Sequence, residues 1–354
     1  MIIMESRIAE ICHKAIREHV FPGCVVGFAH GEIARVLAYG RLTYQVDSPP
    51  VTANTVYDVA SISKSIPTSA LLVKMISEHK LSLDDKVTTY IPELKNQYRD
   101  SILIRHLLTY TVIFNTGHSL TEIALSQPER LMESIYNAPL LAPPGEKHMY
   151  TDAPPMLMGL IIERIYKKPL DQIAQTVFFS PLDMTRTSYN PASIDPAQIA
   201  PTEIDWRGEV QALPQDEKAW VLLKQGQIPG HAGLFSSAGD LLIFARMLLN
   251  GGELGGRTYI KAAAIEGMHT NQNSSVGPAE SLGWQMERPQ WMGTFVSNQA
   301  FGRTGYPGTS VIIDPIKQTA LVHLSNHTYP HRPTERAVAI NMVRKELANV
   351  AFAG

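Results

Sequence analysis

The chain has 354 residues, of which 44% are hydrophobic and 18% charged, with a net charge of −2. That is globular composition with enough apolar mass for a large core; it excludes a disordered chain and offers no basic surface for nucleic acid or an anionic membrane. The two cysteines, Cys12 and Cys24, make neither a disulfide framework nor a zinc-ligand set and read as buried free thiols.

The first twenty residues predict an amphipathic helix, with Ile8, Ile11, Cys12, Ala15 and Ile16 on one face. A secretory signal would carry an unbroken apolar run instead, and no run approaches the ~18 apolar residues of a membrane span. The expectation is a cytoplasmic protein, or a periplasmic or extracellular one if a leader was removed. GCVVGFAHGEIARVLAYGRL then predicts two strands around a tight turn near His30-Gly31. From Ser61 to about residue 280 the pattern is mostly helical, with LLVKMISEHKLSL, PPMLMGLIIERIY and GDLLIFARMLLNGG at helical spacing; Gly251-Gly252 stops the last. GTSVIIDPIKQTALVHLSN returns to strands, turning at Asp314-Pro315, and a final helix begins at about Pro333.

This order predicts an α/β (α+β) fold: an antiparallel sheet flanked by the two terminal helices, with an inserted, mainly helical subdomain. Residues 1–60 and 281–354 would form the α/β part and residues 61–280 the helical part of one domain, 1–354.

Chemistry concentrates at Ser61-Ile62-Ser63-Lys64. On a helix, positions i and i+3 share a face, so Lys64 reaches Ser61 at a helix start that offers free N–H groups. Serine is a weak nucleophile until a neighbouring base takes its proton. Pro67 suits such a helix poorly, because it removes an N–H. Tyr150 and Asp152 precede a buried helix, where a tyrosine near a lysine can shuttle a proton. Arg303-Thr304-Gly305 starts a strand whose edge could lend N–H groups to a substrate.

These three motifs, Ser61-x-x-Lys64, Tyr150-x-Asp152 and Arg303-Thr304-Gly305, resemble those of the class C serine β-lactamases, the low-molecular-weight penicillin-binding proteins and their esterase relatives. LSLDDKVTTYIPEL, ILIRHLLTYT, LAPPGEKHMYTD, FFSPLDMTRTSY and GHAGLFSSAGDLLIFARMLLNGG are similar to phrases of that family. The resemblance implies a β-lactamase-like fold and a serine hydrolase that cleaves a β-lactam, a D-amino-acid peptide or a small carboxylic ester through an acyl-enzyme on Ser61. It implies that Lys64 and Tyr150 share the proton transfer, that the N–H groups of Ser61 and Tyr306 form the oxyanion hole, and that Asp152, Arg303, Thr304, Gly305 and Tyr306 contact the substrate. Neither a cofactor nor a metal is expected, and the partner is a small molecule or short peptide.

Three positions depart from the family pattern. Asp152 stands where the family has Asn, and lacks its amide donor. Arg303 stands where the family has Lys or His. There it would either grip a substrate carboxylate or pair with a protein acid and brace the strand. LLTYTVIFN, residues 107–115, replaces a threonine-serine-glycine turn and would border the pocket. These departures keep open a retired hydrolase fold that only binds. His231 reads as loop packing rather than cleft lining, and Pro330 argues against a metal pair of His327 and His331. Trp284 and Trp291 read equally as pocket wall or as surface packing.

Overall fold

The computed structural model describes residues 2–31, 33–191, 194–333 and 338–353. Its main elements are α1 (Ile2–Arg17), β1 (Gly23–His30), β2 (Ile33–Gly40), β3 (Val56–Asp58), α2 (Ala70–Ser77), α3 (Ala153–Tyr166), β4 (Glu203–Asp205), β5 (Gly208–Val210), α4 (Glu217–Lys224), β6 (Phe235–Ser237), α5 (Ala238–Leu249), β7 (Gln285–Met286), β8 (Phe301–Thr304), β9 (Ser310–Asp314), β10 (Thr319–Ser325) and α6 (Val338–Phe352). Six strands form one antiparallel sheet in the order β2-β1-β10-β9-β8-β7.

Alternation along the strands creates two apolar layers, because successive side chains face opposite ways. In β1, Cys24, Val26 and Phe28 face the terminal helices, and Val25 and Ala29 face the large core. Ile312 in β9 and Leu321 in β10 join the first set; Val311, Ile313, Ala320, Val322 and Leu324 join the second. Ile8, Cys12 and Ala15 of α1 meet Ile340, Val343 and Leu347 of α6 across the first layer. Each of the isoleucine, valine and leucine side chains among them, when buried, contributes about 1.5–3 kcal/mol.

The turn between β1 and β2 falls where expected, with Gly31 at φ 53°, as does the turn between β9 and β10. Both cysteines are free and buried. The middle of the chain is less uniformly helical than predicted. Two-stranded pairs, β3 with β6 and β4 with β5, interrupt it; three-residue strands are too short to show a period of two. The last helix is described from Val338, and residues 334–337 of its expected start lie outside the described residues. Trp284 is neither pocket wall nor surface: it is fully buried, edge-on to Phe301 at 5.2 Å. Among the described residues, no helix is long and apolar enough to cross a membrane.

Candidate active site

Ser61 does not open the long helix that follows it. It sits in a separate 3₁₀ turn, Ala60–Lys64, and the chain breaks from helical geometry at Ile66 (φ −120°, ψ 107°), just before Pro67. The Pro67 ring disfavours helical backbone at the residue before it, and α2 begins only at Ala70. The turn hangs from β3. Val59 N–H bonds the Leu234 oxygen at 3.0 Å, and Ala60 takes φ 43°. A left-handed alanine costs about 1–2 kcal/mol. Asp58 offsets this by accepting the Ala60 N–H at 2.8 Å, while its other oxygen accepts Gln215 N–H at 2.7 Å. Asp58 is buried, and burial outweighs these two bonds and pushes its carboxyl up to about 7.

The two serines of the turn and Ser65 just after it have separate roles. Ser63 is fully buried and donates to the Ala60 oxygen at 2.6 Å. Ser65 is fully buried and donates to the Gly283 oxygen at 2.6 Å. Ser61 is partly exposed and lines a cavity of about 350 Å³.

Lys64 is 1% exposed and uses all three of its N–H donors. They go to Ser61 Oγ at 2.9 Å, to the His231 backbone oxygen at 2.8 Å and to Asp152 Oδ1 at 2.9 Å. Burial pulls the ammonium down, but Asp152, Tyr150 and Asp216 more than offset it and raise Lys64 above an ordinary lysine. Burial likewise lifts Asp152, yet Lys64, His231 and Lys218 overcome it and bring the carboxyl down to about 2.

Asp152, expected to contact the substrate, is held here by protein cations. Its oxygens face Lys64 and, at 3.4 Å, Lys218 Nζ. Lys218 also pairs with Asp216 at 2.8 Å, and Asp216 meets His231 Nε2 at 3.1 Å. Asp152, Asp216 and His231 bring ligand atoms within 4.8 Å of one another, a grouping that could hold a metal. Lys64 and Lys218 also bring positive charge to the two carboxylates.

Arg303 makes contacts of the bracing kind, one of the two alternatives. It is fully buried, donating through Nε to Ser65 Oγ at 3.1 Å and through Nη2 to the Gly283 oxygen at 2.7 Å, with Glu280 at 3.8 Å. Its guanidinium carbon lies 5.4 Å from the ring centroids of both Tyr110 and Tyr150. It is the brace rather than the rim cation. Tyr110, from the loop that departs from the family turn, packs at 5.0 Å against Tyr150, whose ring is 5.4 Å from Lys64 Nζ.

The cavity brings together Ser61, Tyr150, Thr304, Gly305 and Tyr306 as expected residues, and Trp291 joins its wall. Gly305 is where the end of β8 meets the Ser61 turn: a Cβ there would lie 2.4 Å from the Val59 oxygen and 2.1 Å from Thr309 Oγ1. Two lining cations escaped the sequence reading, Arg288 and Arg344. Arg344 is 5% exposed and donates to the Gly305 and Thr309 oxygens at 3.0 and 2.9 Å. It has no carboxylate partner among the described residues, and burial lowers it to about 9. Its signal was its place on the buried face of α6, with Ile340, Val343 and Leu347. His231 is loop packing in that it is fully buried, and also a neighbour of Lys64. His327 and His331 bond separate backbone oxygens, of Val20 and Ile204.

A Ser-x-x-Lys turn wedged between an antiparallel sheet and a helical region, faced by a tyrosine from a third loop, defines a β-lactamase-like fold. The chain belongs to the Beta-lactamase family, which it matches over residues 8–343. It is 33% identical over 313 residues to an Escherichia coli K12 protein named "Putative D-alanyl-D-alanine carboxypeptidase", covering 80% of this chain and 71% of that one. Among solved structures it resembles a penicillin-binding protein homologue from Caulobacter crescentus (TM-score 0.79, 18% identity, 99% and 97% of the two chains). It also resembles EstCE1, a hydrolase with promiscuous acyltransferase activity (TM-score 0.76, 21% identity, 97% and 98%).

Proposed function

We propose that this protein is a serine hydrolase that cleaves an amide or ester through an acyl-enzyme on Ser61, as a β-lactamase, D-alanyl-D-alanine carboxypeptidase or carboxylesterase does. The carrying observation is the 2.9 Å bond from buried Lys64 Nζ to Ser61 Oγ at a cavity wall. Ser61 Oγ attacks the carbonyl carbon, and the oxyanion forms between the N–H groups of Ser61 and Tyr306. Asp152 holds Lys64 as an ammonium, so Lys64 stabilises negative charge on Oγ rather than accepting its proton. That proton passes to the Tyr150 oxygen as Tyr150 gives its own to the leaving group. Water then attacks the acyl-enzyme by the reverse path.

Arg344 in the wall, with no carboxylate partner among the described residues, favours a substrate with a free carboxylate; Arg288 beside it is already paired with Glu280 at 3.0 Å. A peptide C-terminus meets that requirement, in keeping with the name of the Escherichia coli relative. Incubation with a fluorophosphonate, read by intact mass, tests the reading. One adduct on the parent and none on Ser61→Ala is the expected result. An unlabelled parent that still binds ligands would make the chain a binding protein, and an adduct persisting in Ser61→Ala would refute the nucleophile.

A further inference from the structure

The side chains behind Ser61 close on themselves. Lys64 meets Asp152 Oδ1, Asp152 Oδ2 meets Lys218, Lys218 meets Asp216 Oδ2, and Asp216 Oδ1 meets His231 Nε2. The His231 backbone oxygen then returns to Lys64. The circuit is nearly dry: the side chains of Lys64, Lys218 and His231 are 2%, 8% and 0% exposed, those of Asp216 and Asp152 19% and 27%. Stability alone is a weak reason for such a ring, because well-packed apolar side chains often replace buried ion pairs without loss. Its geometry has a more specific consequence. Two of the Lys64 donors end on the ring, so the ring sets the direction of the third, which points at Ser61 Oγ. Asp152 can keep its share of Lys64 only while its other oxygen is held as well, and Lys218 holds it.

We infer that Lys218, backed by Asp216 and His231, is a positioning residue: it anchors Asp152 so that Lys64 keeps one N–H on the nucleophile. The inference rests on Ser61 being that nucleophile. The titratable and charged groups around Asp152 are Lys64 from the nucleophile turn, Lys218 and Asp216 from α4 and its cap, His231 from the loop before β6, and Tyr150 and Tyr110 from the facing loops. Asp216 caps α4 by accepting the Ala219 N–H at 2.9 Å, and Lys218 donates to Thr121 Oγ1 at 3.2 Å; both contacts fix where the anchor stands. Without Lys218, Asp152 keeps its like-charged neighbour Asp216 and loses a cation, so it protonates at higher pH and releases Lys64.

The test follows labelling of Ser61 by a fluorophosphonate, and hydrolysis of p-nitrophenyl acetate, from pH 2 to 9. Parent, Lys218→Met, Lys218→Arg and Asp216→Asn are compared, each with a thermal melt. Lys218→Met is expected to slow labelling on the order of 10-fold or more at pH 7, through kcat rather than KM. Its acid limb should move up by about one pH unit or more, the scale of one opposite charge at contact distance. Lys218→Arg restores both, and Asp216→Asn, which removes a like charge from Asp152, moves no limb upward. Should Lys218→Met fail to fold, Lys218→Gln keeps a bond to Thr121 and carries the same expectation. An acid limb that stays in place in the folded variant, whatever the rate, overturns the inference. If the parent itself is not labelled on Ser61, the underlying reading falls; if only the Lys218 variants match the parent, this inference alone falls.

Discussion

Asp152→Asn removes the charge beside Lys64 and keeps the shape. In the folded chain Asp152 is brought from 3.8 down to about 2. At about 1.4 kcal/mol per pH unit, that ionised carboxylate contributes about 2.5 kcal/mol. Its folded value lies below its unfolded one, so the contribution is complete above pH 4 and is lost as pH falls toward 2. Asn also leaves Lys64 and Lys218, with side chains 2% and 8% exposed, without their shared anion. Breaking a buried pair in this way costs roughly 3–5 kcal/mol, so about 3 kcal/mol at pH 7 is the expected loss. Urea unfolding at pH 7 and at pH 3.5 measures it, and the gap between parent and variant should narrow at the lower pH. Burial then dominates Lys64, whose ammonium falls and no longer steadies Ser61 Oγ. Turnover of a p-nitrophenyl ester and of a chromogenic cephalosporin should therefore drop together. An unchanged unfolding midpoint would refute the ion-pair account. A gain on the cephalosporin alone would place position 152 against the acyl side chain and refute its orientation toward Lys64.

Gly305→Ala forces a Cβ to within 2.4 Å of the Val59 oxygen, so β8 and the nucleophile turn must separate; overpacking of about 1–3 kcal/mol is expected, with a fall in kcat larger than the change in KM, read by a thermal melt and ester kinetics. Parent-like kinetics would mean that the spacing between Gly305 and Ser61 does not matter. Arg344→Gln should weaken an ester bearing a free carboxylate by about 1.5–3 kcal/mol more than its methylated twin, the scale of a charged hydrogen bond. An equal loss on both esters would reduce Arg344 to a brace on the Gly305 and Thr309 oxygens.

What could be read from the sequence was local or periodic. Val25 and Val26 declare opposite faces of β1 by simple alternation, and the two layers of the core follow. Ser61 and Lys64 are three residues apart, so one turn of chain brings them close to each other. The kink at Ile66 was foreshadowed by Pro67, but not that it would detach the nucleophile turn from α2. Asp152 was read toward an unseen substrate, and Arg303 toward either a substrate or a protein acid. The sequence could not name the protein groups that meet them from far away in the chain: Lys218 for one, Ser65 and Gly283 for the other.

Only the closed fold supplies those partners, yet the sequence did carry a mark for the residues that were missed. Lys64 and Lys218 each sit among buried helical neighbours, and Arg344 interrupts the apolar face of α6. Desolvating a cation is costly, so each of the three demands a compensating group. Lys64 finds Ser61 nearby and Asp152 across the fold; Lys218 finds Asp216 and Asp152. Arg344 finds backbone and amide oxygens but no anion among the described residues, and it borders the cavity that holds Ser61. Under the proposed function, a cation desolvated without an anion beside Ser61 would leave a charge for the substrate to neutralise, so the proposal puts carboxylate selection on α6 rather than β8.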